Sequence, residues 1–359
     1  MIVGLLIILA LVLVLPFVVR IVEHNLELFL FIMGLAAVIV SKTISPHLFA
    51  EILGNAFLYF ITGAVLVFGI LFIVFKDKVS ALIGTVLKHM PVKVFMMIII
   101  IFLGIVSSVI TAIIAALLLV EILNAIPMKR QEKVFLNVLA CFSIGLGAVL
   151  TPVGEPLATV VLSRLNADFF YLFDLIGVYV LPGILVFGIA GFIYVDRCKC
   201  QDQIDTIDRS GYGPAKGVDL ELTEEFNEPD TVKGAVIRAV KIFFFVFALE
   251  LLGTGFKPLI DTYVIHLNNT VLYWLNMLSA VLDNATLAAA EVSTKMTAEQ
   301  LSAILMGLLV SGGMLIPGNI PNIISAGKLK ITSREWARIG APVGLTVMAV
   351  FFVIIFFIV

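Results

Sequence analysis

Long apolar runs separated by short charged or glycine/proline-rich breaks dominate the chain. Ile2–Val19 and Ile242–Leu249, each extended by flanking apolar residues, approach the ~20 residues that a spanning helix needs. The first run has no small-residue cleavage site and reads as a retained helix rather than a signal peptide. The pattern predicts spans over about 2–22, 26–42 and 48–75. A short amphipathic piece, Val79–Met90, follows among Lys76, Lys78, Lys88 and Lys93 and reads as interfacial. Val94–Leu123 is too long for one ordinary span and too short for two. "SSVIT", Ser107 to Thr111, interrupts it, so a re-entrant hairpin with a small polar tip is expected.

The next run, Val134–Leu165, contains "GLGAVLTPVGEP". Gly145, Gly147, Pro152, Gly154 and Pro156 cannot stay helical together, so this helix is discontinuous. A clean span is expected at about 169–195. Residues 196–232 then hold ten of the chain's 25 acidic residues with little apolar content, and read as a hydrophilic linker. Beyond it the order recurs: a span at 234–253, an amphipathic stretch Lys257–Asn269, a polar-tipped apolar segment Val271–Val292, a broken segment Leu301–Gly327 and a last helix from Trp336 to Val359. "SSVIT" aligns with "SAVLD", setting Ser107 against Ser279 and Thr111 against Asp283. "GAVLTPVGEP" aligns with "GGMLIPGNIP", setting Gly147, Pro152 and Pro156 against Gly312, Pro317 and Pro321, with Gly313 and Gly318 in the second break. This is an internal duplication. The expected division is 1–45 for two amino-terminal spans, 46–195 for the first repeat, 196–232 for the linker and 233–359 for the second repeat.

Composition agrees with a bilayer protein: 61% of residues are hydrophobic and 13% charged, too few to coat a soluble domain of this size. No basic tract suggests nucleic acid. The charge bias adds orientation. Lys and Arg cluster at 76–93, 129–133, 197–241 and 328–338, while Lys42, Arg164, Lys257 and Lys295 are isolated. The positive-inside rule then places the amino terminus outside and the linker in the cytoplasm. The first hairpin enters from the cytoplasm and the second from outside, so the repeats are inverted. The expected fold is an all-α polytopic membrane protein with inverted-topology repeats, two re-entrant helical hairpins and two broken helices. Cys141, Cys198 and Cys200 give no disulfide framework, and the Cys198–Cys200 pair reads as reduced thiols.

The carboxylates left at membrane depth are Glu121, Glu155, Asp174, Glu250, Asp283 and Glu291. Glu155 and Asp283 stand at a helix break and a hairpin tip, where free carbonyls and half-helix dipoles accompany the charge. A hard cation such as Na⁺ favours several oxygen ligands. Ser279, Asn284, Thr286, Asn319 and Asn322 are the candidates around Asp283. Ser107, Ser108, Thr111 and Thr151 are the candidates around Glu155. Glu121, Glu250 and Glu291 read as lying near interfaces. A buried carboxylate that trades a proton for Na⁺ is the minimal antiporter. No Lys or Arg lies in either break to fix an anion, which favours a small cation as substrate. Neither H-E-x-x-H nor an aspartyl-protease pattern is present, so an enzyme is not expected, and a membrane hydrolase is the remote alternative.

At these residues the chain resembles the ion transporter superfamily. "SAVLDNATLAAA" is similar to the S-A-x-x-D-N-x-x-L-x-A-A stretch of NhaD-type sodium/proton antiporters, and "TPVGEP" resembles that family's "SPIGD"-like breaks with Glu155 in place of aspartate. Size and layout resemble the superfamily's small prokaryotic family of putative cation transporters. The resemblance implies a homodimer in a prokaryotic inner membrane, with no cofactor, moving Na⁺ and H⁺ by an elevator mechanism. Thr111-Ala112 departs from the family's D-N pair, which implies a degraded cation site in the first half. The Ser-Asn-Thr signatures of carboxylate-transporting relatives are absent from both tips. Sodium-coupled symport of a small anion is the alternative within the class.

Overall fold

Backbone polar groups in hydrocarbon must be satisfied within the chain, so apolar runs of this length fold as helices. The computed structural model describes residues 1–19, 22, 25–56, 58–59, 62–63, 66–67, 70–71, 74, 90–126, 128–198, 232–280 and 284–358. Among them are fourteen α-helices and no strands. Val92–Ile110, Tyr171–Arg197 and Ser333–Ile358 are long and apolar enough to cross a membrane. The protein is an all-α membrane protein. The expected interfacial helix over 79–89, most of the linker and Asp283 lie outside the described residues.

Helices α1 (Ile2–Val18) and α2 (Leu26–Val40) pack antiparallel, and a Cβ on Gly4 would lie 2.9 Å from the Val40 side chain. A short helix, α3 (Pro46–Gly54), follows, capped by Ser45 Oγ accepting from Leu48 N. The span expected over 48–75 is interrupted here, because Asn55 is extended and ends α3. Next come α4 (Val92–Ile110), α5 (Ala112–Ala125), α6 (Arg130–Ala148), α7 (Pro156–Leu165) and α8 (Tyr171–Arg197). α4 and α6 run in the same direction. Ser143 Oγ donates to the Ile100 carbonyl at 2.8 Å, Ser107 Oγ to the Ile144 carbonyl at 3.0 Å, and Ala112 N to the Gly154 carbonyl at 2.8 Å. α5 therefore returns between them. α8 opposes α4, with Gly188 against Ile101 and Asp196 2.7 Å from Lys93 Nζ.

The second half comprises α9 (Val232–Tyr263), α10 (Asn269–Leu275) with a 3-10 extension over Asn276–Ala280, α11 (Asn284–Glu291), α12 (Ala298–Gly312), α13 (Ile320–Leu329) and α14 (Ser333–Val353). α10 runs with α12, since Ser311 Oγ donates to the Asn276 carbonyl at 2.7 Å and Gly307 abuts the Tyr273 carbonyl. α14 runs against α12: Trp336 Nε1 donates to the Gly313 carbonyl and Tyr273 OH to that of Met348. The first-half α6 and the second-half α13 are antiparallel. Arg130 meets the Leu329 carbonyl at 2.7 Å, Asn137 Nδ2 donates to Ser325 Oγ at 3.0 Å, and Gly145 abuts Asn319. The halves also cross, because α7 packs on α11 and α13 packs on α5. α9 leans on α2, with Gly34 against Leu251 and Gly255 against Ala37.

Two elements depart from the hydropathy reading. α9 does not stop near 253 but continues through Pro258 to Tyr263. Phe256, Leu259 and Ile260 are buried there, so packing carries the helix past the drop in hydropathy at Lys257. The register of the two breaks also differs by one residue from the glycine–proline alignment. α7 and α13 both start from an extended residue, Glu155 (φ −156°, ψ 158°) and Asn319 (φ −153°, ψ 145°). Both end on a left-handed one, Asn166 (φ 52°) and Lys330 (φ 53°). Gly154 sits on the Ala148 carbonyl as Gly318 sits on that of Gly312. Glu155 thus corresponds to Asn319 rather than Ile320. Proline fits the first turn at either of its early positions, so Pro156 and Pro321 do not define register to one residue.

At Gly147 an added Cβ would collide with the Gly104 backbone carbonyl, whereas at Gly54 it would meet nothing within 4 Å. Gly147→Ala is expected to destabilise the protein by about 1–3 kcal/mol through forced separation of α4 and α6. Gly54→Ala should be neutral. Thermal unfolding of the two purified variants in one detergent checks the contrast.

Candidate functional site

Both breaks leave helix-terminal backbone groups without intrahelical partners, and neighbouring segments supply them. At the first break, Thr111 separates α4 from α5 with φ 77° and ψ 149°. Its Oγ1 accepts from Ile114 N at 3.4 Å, capping α5. Ala112 N donates to the Gly154 carbonyl, and Thr151 Oγ1 donates to the Ser108 carbonyl. Thr159 Oγ1 reaches back to the Pro152 carbonyl at 3.1 Å. The hairpin tip and the break thus close on one another.

The hydroxyls expected as ligands around Glu155 are already engaged. Ser107 Oγ donates to the Gly104 carbonyl at 2.7 Å as well as to Ile144, and Ser108 Oγ donates to the Ile105 carbonyl at 2.7 Å. These bonds hold α4 against its own turn and against α6. Glu155 itself is buried, 4% exposed, at the head of α7, and its side chain does not cap that helix. With Thr111, Thr151 and Gly154 it forms the first cluster.

The second cluster is built differently. Asn322 Nδ2 donates to the Gly312 carbonyl at 2.8 Å and to that of Leu315 at 2.9 Å, so one amide closes the end of α12. Gly318 lies on the carbonyls of Ser279 and Gly312. A Cβ on Gly312 would stand 3.4 Å from Ser279 Oγ. Ser279 at the end of the 3-10 extension, the break and the start of α13 therefore meet here. Yet Ser279 Oγ, Asn284 Nδ2, Asn319 Oδ1 and Asn322 Oδ1 are buried with no hydrogen-bond partner among the described residues. A buried polar atom without a partner costs about 1–3 kcal/mol, so four at one tip and break mark a place meant to receive something polar. Thr286 is buried one turn into α11. Asp283, placed by sequence at this tip, lies outside the described residues. The two clusters meet through α6, where the Asn319 amide rests on Gly145.

Glu291 is buried within the protein at the end of α11 beside Asn276. Glu132 is also buried, but its carboxylate accepts from Lys129 N at 2.9 Å and caps α6. Arg164, read as an isolated connector charge, folds over Gly253 of α9, its Nη2 3.4 Å from the Glu250 carbonyl. Among the described residues no three His, Cys, Asp or Glu side chains gather, so the polar groups on offer are hydroxyls, amides and backbone carbonyls around single carboxylates. Sequence reading also missed Asn137 and Ser325. Each is a lone polar residue on an apolar helix, and only the antiparallel pairing of α6 with α13 brings them together.

Thr111 is a β-branched residue at a φ that strongly favours glycine, a strain of about 1–3 kcal/mol. Losing its cap to glycine costs only a few tenths of a kcal/mol. Thr111→Gly is therefore expected to melt at or above the wild-type temperature, and Thr111→Val, which keeps the strain and loses the cap, below it. Melting of both in detergent is the measurement, and a glycine variant that melts lower would refute the strain.

No curated protein matches the chain. One family model does, over residues 2–358, and its description is "Protein of unknown function (DUF1646)". With nearly every residue matched, the chain belongs to the DUF1646 family.

Proposed function

We propose that this protein is a secondary active transporter that exchanges a monovalent cation, Na⁺ in the first instance, for protons. One observation carries the reading: two antiparallel broken helices each close on a hairpin tip, with buried Glu155 at one break and unpartnered buried oxygens of Ser279, Asn319 and Asn322 at the other. In this reading the halves are inverted repeats and the pairs α4–α5 and α10–α11 are the re-entrant hairpins, the arrangement in which transporters place ion sites near the midplane. Asp283 with Asn284, Ser279, Thr286, Asn319 and Asn322 holds the cation, and Glu155 is the second proton or cation carrier. The basic side chains Lys93, Lys129, Arg130, Lys328, Lys330 and Arg334 gather at the end where α4, α6 and α14 begin and α13 finishes. By the positive-inside rule that end faces the cytoplasm and the amino terminus lies outside. A homodimer, with the hairpins and broken helices riding as an elevator against α1, α2 and α9, completes the proposal.

A second reading has its own support. α5, α7, α11 and α13 all begin at the tips or breaks, and helix amino termini favour anions. That arrangement suits sodium-coupled symport of a small anion, with the same carboxylates holding only Na⁺.

Proteoliposomes with an internal pH dye separate the two. Exchange requires external Na⁺ to raise the internal pH, whereas symport requires Na⁺-dependent anion uptake without that signal. Under exchange, Asp283→Asn and Glu155→Gln should each reduce the initial rate at least about tenfold, the equivalent of ~1.4 kcal/mol. Unchanged rates in both variants would remove these carboxylates from the mechanism.

A further inference from the structure

α6 and α13 meet along a polar seam that starts at the site residues Asn319 and Asn322 and extends beyond them toward the basic end. On α6 it consists of Asn137, Cys141 and Gly145, spaced four apart, and on α13 of Asn319, Asn322 and Ser325, spaced three apart, so each set forms one helical face. Asn137 Nδ2 donates to Ser325 Oγ at 3.0 Å, Cys141 Sγ lies 3.2 Å from the same hydroxyl, and Asn319 rests on Gly145. At the basic end Arg130 closes the seam, donating to the carbonyls of Leu329 and Lys330 and pairing with Glu335 at 3.0 Å. From Arg130 to Gly145 the helix rises about 22 Å, so the seam joins the basic end to the second break.

Its polar atoms are incompletely satisfied. Asn137 and Asn322 are fully buried and Asn319 is 1% exposed, yet the Oδ1 of each lacks a partner. Reversing the Asn137 amide would satisfy its oxygen from Ser325 and orphan its nitrogen instead, so either assignment leaves the group one bond short. Asn319 corresponds to Glu155, but the other corresponding positions are apolar. In the register set by the caps, Asn137, Cys141 and Gly145 correspond to Leu301, Leu305 and Leu309, and Asn322 and Ser325 to Ala158 and Val161, all buried. A polar lining in one half and leucines at the same places in the other is not a requirement of the shared fold.

The geometry points to a hydrated path along α6 and α13, through which water and a small cation pass from the basic end to Asn319 and Asn322. The missing partners of the three amides are the waters or the ion in transit, because polar, partly satisfied walls hold water where apolar ones stay dry. Arg130 and Glu335 form the mouth. The inference rests on the transport reading only for the identity of the cation; hydration of the seam stands apart from it.

Cys141 is a built-in reporter, since a thiol reacts with methanethiosulfonates as its thiolate and so only where water reaches it. With Cys198 and Cys200 changed to serine, 2-aminoethyl methanethiosulfonate applied to the basic-end face of membrane vesicles is expected to label Cys141. The rate should be at least tenfold that of Leu305→Cys in a Cys141→Ala background. Asn137→Leu should slow labelling of Cys141 several-fold, and this comparison carries the test if the Leu305 variant fails to fold. Equal rates at 141 and 305, or no effect of Asn137→Leu, would overturn the path. Labelling without Na⁺-driven proton movement would uphold the path and remove the antiport reading, while proton movement without labelling would do the reverse.

Discussion

Breaking a helix at membrane depth releases backbone N–H and carbonyl groups where no solvent can take them, and each one left bare costs several kcal/mol. The architecture follows from how those groups are satisfied. At the first break, Ala112 N meets the Gly154 carbonyl and Thr151 meets that of Ser108. At the second, the single amide of Asn322 takes the carbonyls of both Gly312 and Leu315. At the first break the partners come from the preceding segment, 108–112, whereas at the second the amide comes from α13 itself. The glycines are fixed by the same demand. Gly147 admits the Gly104 carbonyl, Gly154 that of Ala148 and Gly318 that of Gly312, and a side chain at any of them would push away the segment that satisfies the break.

The two halves meet this constraint by different means. The first uses small hydroxyls turned onto nearby carbonyls: Thr151 and Thr159 close the break, Ser107 ties α4 to α6, and Ser108 bonds its own turn. The second uses amides, which carry a donor and an acceptor on one rigid group. When the Asn322 donors close the end of α12, its acceptor is left over at the same place. An amide can thus brace the backbone and still present an oxygen, as a hydroxyl that donates its one proton also does through its lone pairs. The cap register sharpens the contrast by setting the Glu155 carboxylate opposite the Asn319 amide at the same structural position.

Much of the frame was legible because its signals are local. The span expected at 169–195 is observed at 171–197, and Thr111 and the stretch 149–155 interrupt helices where small, glycine and proline residues predicted it. What failed was what packing decides. α9 passes Lys257 and Pro258 because Phe256, Leu259 and Ile260 keep it buried, and hydropathy alone ends it too early. Asn137 and Ser325 carried no signal individually, since a lone polar residue in an apolar helix is as readily a surface position as a buried one. Their meaning comes from a contact 188 residues apart in sequence.

That contact bears on why a repeated fold would keep unlike halves. If the halves were equivalent, a cation would meet the same energy profile from either end and nothing in the frame would distinguish the two breaks. Glu155 heads α7 where Asn319 heads α13, so the break itself carries a titratable group in the first half and a neutral amide in the second, where the carboxylate of the proposed site is Asp283 on the preceding segment. Buried amides cannot change charge with pH, so in the proposed exchange they would stabilise a cation without competing with it for a proton, whereas Glu155 and Asp283 would bind one or the other. The polar lining between α6 and α13 leads to the amide side, and the leucines at 301, 305 and 309 occupy the same places in the other half. The two breaks match in backbone and caps, and the departures between them, a carboxylate against an amide and one polar seam, give them unequal chemistry.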